Sequence, residues 1–245
     1  MADDFVIIVP ARAGSLRLPN KPLLEINGKS LLTRVFELAQ SSNAKATFIA
    51  TDNEVIRDHV EAIGASVIMT KKDHISGLDR IAEAAKILDL SAETIILNLQ
   101  GDEPFMPLEI INTLASNITK ESTIATACVP LNNPQEIESP NEVKVVRSLS
   151  KRAMYFSRAI IPNEFVSNYG NYLKHLGIYA YENKTLQELS ALKPTPNEIQ
   201  EKLEQLRFLD HGYNIYVNDY NCEPPIGIDT PADLERAIEF SKAHD

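Results

Sequence analysis

Arg12, Arg17 and Lys21 fall within ten positions of one loop, residues 9–23, VPARAGSLRLPNKPL, with no acidic residue among them. Arginine offers planar forks to phosphate oxygens and lysine a point charge, so the trio suits a polyphosphate. Gly14 allows a close backbone approach. The stretch is neither a P-loop, because Gly14 has no second glycine before Lys21, nor a dinucleotide fingerprint, because the chain has no GxG. A solvated basic turn is the plainer alternative. Two carboxylates keep it company: Asp102 in NLQGDEP and Asp229 in PPIGIDTPADLERA. Mg²⁺ commonly takes one or two protein carboxylates plus substrate phosphates. Each has a plainer role too, Asp102 in a Gly-Asp turn and Asp229 as an anion favoured by a helix N-terminus. Together, loop and carboxylates suggest metal-assisted phosphoryl or nucleotidyl transfer.

These groups must be placed by the elements between them. Short apolar runs, FVIIV from Phe5, ATFIA from Ala46, SVIM from Ser66, TIILNL from Thr94 and TIATACV from Thr123, read as buried strands. Helical periodicity lies between them: Leu31, Leu32, Val35, Leu38 and Ala39 behind a Ser30 cap, then Leu78, Ile81, Ala85 and Leu88. Such alternation predicts an α/β fold, a mostly parallel sheet with helices on both faces and right-handed crossovers. The loops after the first and fourth strands then share the carboxyl edge, where open α/β folds bind ligands.

After about residue 130 the rhythm changes. NEVKVVRS and YLKHLGIYAYE read as strands around a polar stretch, giving one domain over 1–245 with a smaller inserted lobe at roughly 132–195. Helices follow near 184–192 and 197–209. The last is marked by Thr230 as cap, Pro231 at its first position and Asp233 in its first turn.

Composition narrows the classes. Against 24 Lys and Arg stand 34 Asp and Glu, a net charge of −10, which argues against general nucleic-acid binding. Cys128 and Cys222 are too few for a disulfide framework. No run approaches the roughly 20 apolar residues of a membrane span, and a cytoplasmic protein without membrane or nucleic-acid partners is expected.

Nine blocks, VPARAGSLRLPNKPL, ATDNE, DHISGLDR, LQGDEP, NEVKVV, YFSRAIIP, HLGIYAY, LEQLR and GIDTPADLERA, occur in the order seen in the CMP-Kdo synthetases. The chain resembles that family, the 3-deoxy-manno-octulosonate (Kdo) cytidylyltransferases of lipopolysaccharide synthesis, over nearly its whole length. The resemblance implies a Rossmann-like nucleotidyltransferase domain with a smaller dimerisation lobe, a homodimer, and Mg²⁺ as cofactor. CMP-sialic acid synthetases share the opening loop, and a non-catalytic nucleotide-sugar-binding relative is a further alternative.

Carried over position by position, the resemblance implies that Arg12 and Lys21 meet the CTP phosphates, with Ala13, Gly14 and Arg17 in the same loop. Thr51, Asp52, His74, Ser76, Gly77 and Arg80 would line the nucleoside pocket. Asp102 and Asp229 would hold Mg²⁺ and, with Arg12 and Lys21, form the catalytic set. Gln100, Arg158, His175, Tyr179 and Glu204 would face the sugar acid, Arg158 pairing with its carboxylate. Unaided, His175 and Tyr179 read more readily as half-buried core, and Glu204 reads as well as an exposed helix residue. The chain departs from the usual pattern at Ala13–Leu16, at Leu78 and in the short segment 163–171, which lacks tryptophan. The reaction implied is CTP plus sugar acid to CMP-sugar and pyrophosphate, with Kdo or its 8-amino analogue as the acid.

Overall fold

The computed structural model describes residues 4–14, 18–74, 76–163 and 172–244. Arg17 therefore lies outside the described residues, as does most of the departing segment 163–171. The strands of the first half are β1 (Phe5–Ala11), β2 (Glu25–Ile26), β3 (Lys29–Ser30), β4 (Ala46–Thr51), β5 (Ser66–Met69) and β6 (Ile95–Asn98). Those of the second are β7 (Ile124–Leu131), β8 (Lys144–Arg147), β9 (Ala153–Ser157), β10 (Tyr172–Glu182) and β11 (Tyr216–Asp219). Helices α1 (Leu31–Gln40), α2 (Glu54–Ala62), α3 (Gly77–Ile87) and α4 (Leu108–Leu114) alternate with the early strands. They are followed by α5 (Pro134–Glu138), α6 (Asn183–Ser190), α7 (Pro196–Glu201), α8 (Gln205–Asp210) and α9 (Pro231–His244).

The main sheet runs β11-β7-β10-β6-β1-β4-β5. Every neighbouring pair is parallel except the two that β10 makes with β6 and β7. The expected mostly parallel α/β sheet is thus present. Alternation along β1 splits the core as a two-sided strand must: Phe5, Ile7 and Val9 pack with α1, α2 and α4, while Val6 and Ile8 pack with α3 and α6. Each large aliphatic side chain so buried contributes roughly 1.5–3 kcal/mol of transfer free energy.

β10 falls inside the stretch 132–195 yet lies in the middle of the main sheet, whereas β8 and β9 leave its path as an antiparallel pair. Ser30 caps α1 as expected, accepting from the Thr33 amide. Thr230 Oγ1 accepts from the Asp233 amide, and Asp233 returns the bond to the Thr230 amide. The single helix expected over 197–209 is two helices. Lys202 takes a left-handed conformation, φ 53°, ending α7, and α8 restarts at Gln205. No glycine marked that break.

Candidate active site

Register builds the site's floor. Ala11 pairs with Thr51 and Ile8 with Asn98, so the chain leaving β1, β4 and β6 emerges on one edge. At that edge the loop after β6 packs closely on the end of β1. A Cβ on Gly101 would stand 3.0 Å from the Pro10 carbonyl oxygen, so glycine eases the close approach. The C-terminal segment docks on the same place, the Ile228 amide donating to the Asp102 carbonyl at 3.0 Å. That bond sets Asp229 beside Asp102 across 127 positions of sequence (229 − 102).

Lys21 closes the cluster. Its ammonium donates to Asp102 Oδ2 at 2.6 Å and to Asp229 Oδ1 at 2.8 Å, with only 13% of its side chain exposed. Burial opposes the charge, but the carboxylates win and raise the lysine's pKa. Two hard oxygens from different loops thus aim at one cationic point, a donor set that suits Mg²⁺. Among the described residues no third His, Cys, Asp or Glu joins them, so phosphates and water would complete the shell. Arg12 and Gly14 are exposed at the rim, and Ala13 packs on the core.

On the β4 side, Thr51 is fully buried, and Asp52 pairs with Arg80 Nη2 at 3.2 Å. Arg80 also donates to Thr70 Oγ1, so this 3%-exposed guanidinium holds Asp52 in place. Ser76 caps α3, and Gly77 sits over the Pro10 ring near Gln100. His74, in the loop after β5, bonds Glu83 at 2.5 Å beside a shallow hollow lined by Lys71 and Lys86.

A polar cleft of about 1310 Å³ opens next to the carboxylates, lined by Gln100, Asp102, Arg158, His175, Tyr179, Glu204 and Asp229 among others. It gathers all five residues expected to face the sugar acid. A register shift in β10 between Leu176 and Tyr179 locally twists the strand where His175 and Tyr179 point inward, their rings 5.4 Å apart. Tyr179 stacks on Tyr181 with its hydroxyl unpartnered. Glu204 also keeps a buried oxygen unpartnered, and burial lifts its carboxyl to about 7. Arg158 is not free. Its guanidinium donates to the carbonyls of Pro140 and Glu201, both at 2.9 Å. Those bonds hold the guanidinium against the cleft wall and use only part of its five N–H donors.

His175 Nε2 lies 3.0 Å from Thr126 Oγ1, and the Ile178 and Leu176 carbonyls lie 2.8 and 3.2 Å from the same hydroxyl. When that one proton is given to a carbonyl, Nε2 is the donor of the imidazole. Burial lowers its pKa from 6.5 to about 3. Between those values an unfolded chain binds a proton that the folded one refuses, so stability should fall as pH drops from 6.5 towards 3. Thermal melts across that range should show a shallower slope for His175→Gln than for the parent chain. Equal slopes would show that the histidine titrates freely.

Sequence reasoning passed over Glu103 and Lys174. Glu103 has a buried, unpartnered Oε2, and burial followed by the charge of Asp102 pushes its carboxyl up to about 8. Gly227 leaves it room, since a Cβ there would meet Glu103 Oε1 at 2.8 Å. The signal was available: Glu103 is the acid of LQGDEP, beside Asp102. Lys174 pairs with Glu142 at 2.6 Å on the cleft wall and alternates with His175 along β10, which gave no local hint.

The family model described as Cytidylyltransferase matches residues 6–215. The 3-deoxy-manno-octulosonate cytidylyltransferase of Polynucleobacter necessarius subsp. necessarius (strain STIR1) is 44% identical over 246 residues, covering 98% of this chain and 96% of that protein. A solved structure of CMP:2-keto-3-deoxy-manno-octonic acid synthetase complexed with CTP superposes with a TM-score of 0.91 at 39% identity, covering 98% and 99% of the two chains. HddC from Yersinia pseudotuberculosis, 14% identical over 97% and 99% of the chains, shares the fold alone with a TM-score of 0.70. With a paired-carboxylate site at the sheet edge and matches of this extent, the chain belongs to the cytidylyltransferases and, among them, to the 3-deoxy-manno-octulosonate family, the CMP-Kdo synthetases.

Proposed function

We propose that this protein transfers CMP from CTP to 3-deoxy-manno-octulosonate, releasing pyrophosphate. The observation that carries the reading is the convergence of Asp102 and Asp229 on one cationic point beside the cleft. The anomeric 2-hydroxyl gives up its proton to water, its oxygen bonds to the α-phosphorus, the bond from that phosphorus to the bridging oxygen breaks, and pyrophosphate leaves. Arg12 and Lys21 take the charge gathering on the leaving group, and the cleft residues hold the acid in line. Asp102 and Asp229 would hold Mg²⁺, which when bound supplies charge neutralisation at the phosphates. Neither a CMP-sialic acid synthetase nor a non-catalytic relative is favoured by the relatives found, and their names give the 8-amino sugar no support. Pyrophosphate release from CTP should require added Kdo. Release at the same rate without it, or none with it, overturns the reading.

A homodimer is part of the proposal. Leu149 is fully exposed, Met154 is 64% and Ile160 43% exposed, all on or beside the β8–β9 pair. Exposed large apolar side chains along this hairpin support a contact with a second copy. Leu149→Asp combined with Met154→Asp should halve the mass seen by light scattering, and an unchanged dimer mass would place the interface elsewhere.

A further inference from the structure

Lys144 is a charged side chain with no exposure at all. Among the described residues no carboxylate pairs with it. Its ammonium donates to the backbone carbonyls of Ser139 at 2.9 Å, Glu142 at 2.7 Å and Arg158 at 2.9 Å. An ammonium carries three protons, and here each has one carbonyl. A buried charge persists only where its surroundings repay the lost hydration, so this cage is a demanding feature of the fold.

The carbonyls belong to the segment before β8 and to the residue after β9. Both also form the cleft wall: Ser139, Asn141, Glu142 and Arg158 line the cavity. The lacing continues outward from Arg158. Its amide donates to Glu201 Oε2 at 3.0 Å, its guanidinium reaches the Pro140 and Glu201 carbonyls, and Ser157 Oγ donates to Glu201 Oε1 at 2.7 Å. That ties in the break between α7 and α8, immediately before the cleft residue Glu204. Three stretches far apart in sequence are thereby fixed to one another, with the Lys144 ammonium at the innermost point. None of these hydrogen bonds runs to Lys21, Asp102 or Asp229.

We propose that Lys144 is a positioning residue, an internal cation that fixes the cleft wall meeting the sugar acid. The inference rests on the function proposed above. Lys144→Met keeps the stem and removes the charge and all three donors. It should raise KM for Kdo by about tenfold or more while KM for CTP stays within about twofold. In Lys144→Ala, added ethylammonium should recover part of the lost Kdo affinity, because the carbonyl cage remains. Lys144→Arg, which keeps the charge, should lie closer to the parent in KM for Kdo than Lys144→Met. A merely structural lysine would lower melting temperature and move both KM values together, or neither. Either of those results, or a failure of ethylammonium to rescue, overturns the proposal. If the parent chain fails to turn over Kdo, the functional reading falls, and Lys144 is judged by hydrogen exchange. The Glu142 and Arg158 amides in a folded Lys144 variant should then exchange at least about tenfold faster, with β1 and β4 unchanged. Unaltered exchange at those amides also overturns it.

Discussion

Asp102→Asn is expected to fold normally and to lose roughly a hundredfold or more of its turnover, about 3 kcal/mol of transition-state stabilisation. Asparagine keeps the side chain's shape and one oxygen but removes the negative charge. Asp102 is one-third exposed, and Lys21 keeps Asp229 as a partner, so the fold should not suffer. Asp229→Asn, at a position still more exposed, should behave alike. Raising Mg²⁺ should recover activity partly, because a weakened site can be refilled by mass action. The measurement is initial rate against Mg²⁺ concentration for both variants, with circular dichroism as the control for folding. Near-parental rates at low Mg²⁺ would remove both carboxylates from the catalytic set.

Lys21→Met has two expected effects of opposite sign, and together they separate this site from a passive surface ion pair. In the unliganded protein the ammonium sits where the two carboxylates converge, so a divalent ion must displace it. Removing it takes one positive charge away from the point that both carboxylates face, which favours any cation that can take its place. Mn²⁺ binding to the variant without nucleotide, followed by electron paramagnetic resonance, should therefore tighten by about tenfold. Use of CTP should weaken, because a charge-assisted phosphate contact is lost, on the order of 1.5–3 kcal/mol or roughly ten- to hundredfold in apparent affinity. Unchanged Mn²⁺ affinity would show that the lysine does not hold the cation's place. An unchanged KM for CTP would return the opening loop to a solvated turn.

Features that depend on neighbours a few positions away could be read from the chain itself. The apolar runs became β1, β4, β5, β6 and β7, and YLKHLGIYAYE became β10 from its first residue to its last. Ser30, Ser76 and Thr230 cap helices because a hydroxyl three positions ahead of an orphan amide is a local geometry. Asp102 at a strand end and Asp229 before a helix were legible for the same reason: alternating strands and helices send both to one edge. Partners across the fold were not legible. Lys21 reaches carboxylates 81 and 208 positions away, Arg158 gives its guanidinium to backbone carbonyls, His74 turns to Glu83, and Lys144 disappears into a carbonyl cage. Those contacts are set by sheet register and by how closely segments dock, as at Gly101, where an added Cβ would stand 3.0 Å from the Pro10 carbonyl oxygen. Local propensity carries no term for a neighbour brought in from a hundred residues away, so the sequence by itself placed the charged groups on an edge, and only tertiary packing decided which charges face one another.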